Sequence, residues 1–370
     1  MSASVGKGGA ALYDGQGTPA DLSNVSDRRT LSYADYVADD GSLRIRTADA
    51  ATYTDAVPGG LYTHPVWLRT YGMRDLVIVE GSRPDRAAPH LVFARAGGGL
   101  VHQGRLFRLD AVLISVLSRH FLQQAGMHFC VFEDVEVIGQ LPPGLSHFSF
   151  HYQNNWRLPL RDAAVRMSKQ LVSNTKRKAR GLVRENPGIS VRFEASPSRP
   201  VLDTIAAFGR IRIEGQGRVY GIDALEVERL AMVAGEVGYA TIIRKENAIL
   251  AADFICIAGQ QAYFLTHGYD PGYSRSSLGM ISLINSIEAC AARGLTDFNL
   301  MWGDLPYKQQ LGAERVPLQT IVIRRSLWTL LYPNHLVTVS RFAWADLKRR
   351  IKQAVRYVRS RSRHAYSNPS

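Results

Sequence analysis

The chain has 370 residues, 46% of them hydrophobic and 21% charged, with a formal net charge of +13. That composition is globular and long enough for one large domain or two ordinary ones with a core of their own, which excludes a low-complexity chain or a stapled miniature. Cys130, Cys256 and Cys290 each stand in an apolar run without CxxC spacing, so three small buried hydrophobes are expected, not a disulfide framework or zinc site.

No apolar run reaches the ~20 residues of a membrane-spanning helix, and the start lacks the basic-then-apolar pattern of a signal peptide. The expectation is a cytoplasmic protein in a reducing compartment. Charge is uneven. Arg157 to Arg184 carries nine basic residues against Asp162, and Arg341 to Ser370 carries nine against Asp346, which leaves the rest mildly acidic. Local basic patches of this kind suit an anionic partner.

In chain order, residues 1–30, rich in Gly, Ala, Ser and Asp, read as a disordered leader. Leu76–Val79 and Leu91–Ala94 read as strands, the second closed by a tight turn at glycines 97–99. Apolar spacing predicts a helix over 110–124, ended by Gly126, and then a strand over 127–137. A basic helix is expected over 166–184, a strand over 189–194, and helices over 200–213 and 224–235. Strands at 239–244, 249–257 and 261–267, joined by short turns, read as an antiparallel meander. There follow a Ser/Gly turn, a long helix to Gly294, a strand from Asp297, and a segment holding Asp304, Tyr307 and Lys308. A last strand covers 318–324. Residues 114–134 and 281–304 echo each other as helix, glycine, strand and a late aspartate, which suggests a duplication.

Together, Gly268-Tyr269-Asp270, Tyr273, Ser277-x-Gly279, Asp297-Phe298-x-Leu300, Gly303-Asp304 and Tyr307-Lys308-x-x-x-Gly312 resemble the second half of the Gcn5-related N-acetyltransferase (GNAT) fold. More narrowly, the run is similar to the acetyltransferase domain of the cellulose-biosynthesis CelD-like proteins, relatives of the FemAB peptidyltransferases. A fainter likeness covers Trp156–Leu160 and the basic run Lys176–Arg180. The resemblance implies an α/β (α+β) fold of tandem GNAT-like lobes, with mixed, mostly antiparallel sheets flanked by helices. The expected division is a leader (1–30), an N-terminal lobe (31–160), a basic helical insert (161–200), a C-terminal acyltransferase lobe (201–330), and a basic amphipathic helix and tail (331–370).

The resemblance further implies acetyl-CoA or another acyl-CoA as co-substrate, its phosphates held around Arg275, Ser276, Ser277, Leu278, Gly279 and Met280. Free N–H groups at a helix start and the helix dipole favour an anion there. Ser274 and Ser277 stand where the usual GNAT pattern has Gln/Arg and its first glycine. For the chemistry, Asp304 is the candidate base or amine-positioning group, or a helix cap. Tyr307 is the candidate donor to the leaving thiolate, or a packed aromatic. Lys308 is the candidate contact for an anionic acceptor or developing charge, or a solvated lysine. His267, ending a central strand, is the candidate for acid/base work, or a structural side chain. His147 and His151 lack a third ligand nearby, so no metal is expected.

The expected activity is GNAT-type N-acyl transfer, of acetyl above all, to an amine or hydroxyl of a cell-envelope or exopolysaccharide precursor. Two alternatives stay open: a FemAB-like transfer from aminoacyl-tRNA, and a catalytically degenerate partner in polysaccharide assembly. Trp344, Leu347, Ile351, Val355 and Val358 recur at helical spacing among Lys and Arg, a pattern suited to an anionic membrane surface through 341–363 and a peripheral place at the inner face of a membrane.

Overall fold

The computed structural model describes residues 31–54, 59–81, 88–161 and 163–326, with helical positions among 336–351 beyond them. The expected leader, and Val355 and Val358 of the expected C-terminal helix, lie outside the described residues. Two compact units emerge. The N-terminal unit joins Ser26–Leu158 to Asn299–Gln309 and the segment from Ala313; the central unit is Pro159–Phe298 with Gln310–Gly312.

The N-terminal unit opens with α1 (Tyr33–Tyr36), β1 (Arg44–Ala48), α2 (Pro65–Thr70), β2 (Leu76–Glu80), β3 (Leu91–Ala96), β4 (Gly99–His102) and β5 (Arg108–Asp110). It continues through α3 (Ala111–Gln123), β6 (Phe129–Ile138) and β7 (His147–Pro159). Asp110 starts α3 because its carboxylate accepts from the Val112 N–H at 2.9 Å. The expected spacing is real: Leu113, Ile114, Leu117, Phe121 and Leu122 all face the core with Phe93, Cys130 and Phe132. β1 to β4 form an antiparallel run, turned at Gly97 and Gly98, both with φ in the left-handed region. β4 then pairs in parallel with β6.

The central unit holds α4 (Ala163–Arg166), α5 (Lys169–Glu185), β8 (Ile189–Ala195), α6 (Arg199–Glu214) and α7 (Ala224–Val237). It goes on through β9 (Gly238–Lys245), β10 (Ala248–Ala258), β11 (Gln261–Tyr269), α8 (Leu278–Ala292) and β12 (Asp297–Asn299). The meander is as expected: β9, β10 and β11 are antiparallel neighbours, with β8 added beyond β9 and β12 beside β11. Thr241, Asp253 and His267 are register partners and share one face, which α8 covers. α6 packs on the opposite face, where the absent side chain of Gly268 leaves room for the Ile205 carbonyl. All three cysteines are buried and unpaired.

After β12 the chain returns through α9 (Pro306–Gln310) to β13 (Glu314–Arg324), which lies antiparallel between β6 and β7. The N-terminal unit's strands are thus mixed, and the described pairings among β8 to β11 of the central unit are antiparallel, with helices against them.

Candidate functional site

In the central unit, β11 runs into the serine turn. Asp270 caps a short 3-10 turn by accepting from the Gly272 N–H at 2.8 Å. Ser277 then adopts the left-handed conformation, φ 56° and ψ 37°. Its hydroxyl does not cap α8. It accepts instead from the Lys178 ammonium of α5 at 2.6 Å. The Met280 and Ile281 N–H groups return to the Ser277 carbonyl at 2.9 and 3.1 Å. Of the six positions expected at the phosphates, Ser277, Leu278 and Gly279 therefore form the helix start itself, while Arg275 is an exposed side chain and Met280 spends its N–H within the turn. The cation beside the turn, Lys178, was visible in sequence only as part of a basic helix, because nothing in 99 residues of separation says where α5 docks.

β11 also carries an irregularity. Phe254 of β10 pairs with Thr266 and Ile255 with Phe264, so Leu265 has no partner on β10. A bulge of this kind twists the strand and frees a backbone group from the ladder. His267 lies two residues on, toward Gly279, where an added Cβ would stand 3.1 Å from the Tyr269 ring and 3.6 Å from the imidazole. Burial, with the positive charge of Arg212, pushes the His267 pKa down to about 3, so the ring is neutral at physiological pH.

In the N-terminal unit, the Asp304 segment is tied down at both ends. The Leu300 N–H donates to the Trp156 carbonyl at 2.7 Å. Met301 and Gly303 take left-handed φ values of 56° and 93°. Lys308, on α9, is buried at 1% exposure and points its ammonium into this bend, donating to the carbonyls of Leu300, Met301 and Trp302 at 2.8, 3.0 and 2.7 Å. It is neither solvated nor free to meet an acceptor. Burial pulls its pKa down to about 8. Asp304 accepts from the Trp156 indole at 3.0 Å and from Arg315 at 3.2 Å. Asn154, oriented to satisfy its amide, accepts from the same guanidinium at 2.8 and 3.1 Å. Burial would raise the Asp304 carboxyl, but Trp156 and Arg315 outweigh it and hold the group below the ordinary carboxylate range. Such a carboxylate is a weak base and a firm charge. Tyr307 is half-buried beside Lys308. An aromatic group borders the segment: Trp302 lies 6.3 Å from Tyr62, which packs edge-on against Trp67 at 4.9 Å, and Trp67 stacks on Tyr71 at 4.4 Å.

The central unit thus brings together a bulged strand, a serine turn and a lysine set on the turn's hydroxyl. Residues 172–309 match the family model described as acetyltransferase (GNAT) domain. This stretch is similar to GNAT acetyltransferase domains of the CelD-like kind. Three solved structures are similar to this chain, and FemX alone of them bears on the fold. FemX is 10% identical, with a TM-score of 0.54 over 71% of this chain and 92% of its own. L-PGS from Bacillus licheniformis is 14% identical, with a TM-score of 0.46 over 76% and 92%. A tandem GNAT protein from the clavulanic acid biosynthesis pathway is 11% identical, with a TM-score of 0.37 over 76% and 98%. No curated protein matches the chain.

Two surfaces remain. His147 and His151 turn their Nδ1 atoms to the carbonyls of Leu145 and Leu318, and among the described residues no cluster of His, Cys, Asp and Glu could hold a metal. Among 336–351, Trp344, Leu347 and Ile351 are exposed and Asp346 is buried. No described helix is long and apolar enough to cross a membrane.

Proposed function

We propose that the GNAT domain moves an acetyl group from a CoA thioester to an amine or hydroxyl of a sugar in a cell-envelope or exopolysaccharide precursor. The observation that carries the donor is the Lys178 ammonium set on Ser277 at the start of α8. It supplies the charge that the usual pattern draws from Gln or Arg within the turn, and the helix dipole adds to it. Leu265 offers a backbone N–H outside the β10 ladder for the thioester carbonyl, as an oxyanion donor would. Asp304, held ionised, orients the acceptor amine or hydroxyl rather than carrying its proton off. As the acceptor's nitrogen or oxygen bonds to the acetyl carbon and the C–S bond breaks, the acceptor's proton passes to solvent water and Tyr307 gives one to the leaving thiolate, while Lys308 is a positioning residue for the Asp304 bend. The aromatic group of Tyr62, Trp67, Tyr71 and Trp302 suits an acceptor sugar, whose C–H faces pack on rings.

Calorimetric titration with acetyl-CoA, and mass spectrometry of amino sugars incubated with protein and donor, test this. Binding of acetyl-CoA is expected, with turnover cut by about 100-fold in Asp304→Asn at unchanged donor affinity. Lys308→Met is expected to lower the melting temperature as well as turnover, because three carbonyls lose a charged donor at about 1–3 kcal/mol each at most. Absence of any thioester binding would sink the reading. The exposed basic residues of α5 favour one second reading, transfer from aminoacyl-tRNA; tight tRNA binding that falls steeply with salt would select it. We place the protein in the cytoplasm, peripheral at a membrane through Trp344, Leu347 and Ile351.

A further inference from the structure

Within the central unit, α5 and α8 are held together at two places and part in between. Near the start of α8 the Lys178 ammonium meets the Ser277 hydroxyl at 2.6 Å, and Leu182 packs with Leu278 and Ile281. Just past the end of α8 the chain before α5 is tied down, the Leu160 N–H donating to the Thr296 carbonyl at 2.8 Å. Between these ties lies a hollow of about 560 Å³. Its floor is one stripe of α8, Ile281, Ile284, Ile287 and Ala291, and its wall is Val172, Thr175 and Ala179 of α5. Thr175, Ala179 and Ala291 are too short to bridge the space.

The hollow is elongated and aliphatic. From Ile281 to Ala291 the stripe runs about 15 Å along the helix. Val172, Ala179, Ile284 and Ala291 are left half-buried along it. Protein interiors close to crystal density, so an apolar channel within the roughly 300–1,000 Å³ of small-ligand sites needs a reason. One flank is basic. Met167, Val172 and Lys176 also line a second hollow of about 350 Å³, which adds Lys169 and Arg180. Lys176 and Arg180 fall within about 20° of Lys169 around the axis of α5, so the three cations form one row. Among the described residues none of the three has a carboxylate partner. The rim of the larger hollow adds one charge of each sign, Arg161 and Glu288.

We propose that this groove binds the aliphatic chain of a lipid phosphate, the chain lying on the isoleucine stripe of α8 and the phosphate among Lys169, Lys176 and Arg180. Charge selects the occupant. Three cations beside an aliphatic channel suit a doubly charged head on an apolar chain. They repel the protein's own apolar segment at 341–363, which is itself basic. The site goes beyond acyl transfer and does not depend on it.

The test uses the full chain with its isoleucine methyls followed by NMR. Dodecyl phosphate, octyl phosphate, dodecyl maltoside and inorganic phosphate are titrated in, the amphiphiles below their micelle concentrations. Dodecyl phosphate is expected to saturate at one per chain and to move the methyls of Ile281, Ile284 and Ile287. Octyl phosphate should bind more weakly, by up to about fourfold for each methylene removed. Dodecyl maltoside has the chain without the charge and inorganic phosphate the charge without the chain; each should bind about tenfold more weakly than dodecyl phosphate, or worse. Lys176→Ala should narrow the gap between dodecyl phosphate and dodecyl maltoside by about threefold. Ala291→Phe, which fills the groove, should weaken both alike. Methyls unmoved by dodecyl phosphate overturn the proposal, and so does an affinity indifferent to chain length or to the charge of the head. Those measurements need wild type alone, so they stand even where a variant fails to fold. Acetyl-CoA takes no part in them, so failure of the donor reading leaves the result untouched.

Discussion

Asp253 is the group whose charge state the fold controls most. It sits in the middle of β10 at 1% exposure, beneath α8. Beside it stands the Ser286 hydroxyl, 2.9 Å from the carboxyl, 2.7 Å from the Thr241 hydroxyl and 3.0 Å from the Ser282 carbonyl. A hydroxyl has one proton, so Ser286 satisfies a neutral Asp253 better: the acid donates to Ser286, which donates onward to Ser282. Burial raises the Asp253 pKa from 3.8 to about 7, only partly opposed by Ser286 and Ser282. The folded state therefore holds a proton that the unfolded chain releases, and stability contributed below pH 3.8 is lost as pH rises through 7. At about 1.4 kcal/mol per pH unit the loss is bounded near 4 kcal/mol. Asp253→Asn, which keeps a donor and carries no charge, should flatten this dependence. Denaturation midpoints at pH 5 and pH 8 check it; equal pH slopes in wild type and variant would refute it. In the sequence Asp253 is one polar letter in an apolar strand. Its neighbours Thr241 and Ser286 are 12 and 33 residues away and converge only through the meander and α8. The same holds for Asp304, whose position after a strand was legible while its bonds to Trp156 and Arg315 were not.

Elements were read more securely than partners, because periodicity is local. α3, α6, α7 and the three meander strands fall within a few residues of their expected places. α5 was legible as a basic helix, but its docking on the serine turn depends on Lys178 alone among six basic residues of that run. Helix and strand ends offer a controlled test of which glycines matter. Gly294, after α8, and Gly312, after α9, share φ of +76°. A Cβ at 294 would meet nothing within 4 Å, whereas one at 312 would stand 2.5 Å from the Arg166 carbonyl oxygen and 2.8 Å from its carbonyl carbon. Gly294→Ala should cost only the left-handed conformation, about 1 kcal/mol. Gly312→Ala adds a backbone collision that no rotamer can relieve, for about 2 kcal/mol or more beyond it. Melting temperatures of the two variants separate the terms. Equal losses would mean that the approach of Arg166 to Gly312 is not tight, and with it the anchoring of the segment that leads into α5.

At the scale of the molecule, the path of the chain decides what can fold alone. A reading along the sequence assigns β13 to whatever precedes it, because strands usually pair with near neighbours. Yet β13 joins two strands made much earlier in the chain, pairing Val322 with Val131 on β6, 191 residues back, and with Phe148 on β7, 174 residues back. Its Ile321, Val322 and Ile323 are at most 1% exposed. A fragment ending at Leu158 keeps β6 and β7 but leaves their facing edges unpaired and their core side chains uncovered, which favours aggregation over folding. The chain supplies its own remedy. Trp156 is bonded through its backbone to Leu300 and Met301, so the points where the chain leaves and re-enters the N-terminal unit are close. Replacing 159–298 by a flexible linker of about ten residues should therefore give a soluble unit that melts cooperatively, because a short linker closes such a gap at little entropic cost. Residues 26–158 alone should not. Circular dichroism and thermal melts of the two proteins decide: a cooperative melt of 26–158 would show that β13 is dispensable, and a bridged protein without one would show that the N-terminal unit needs more than its own residues to fold.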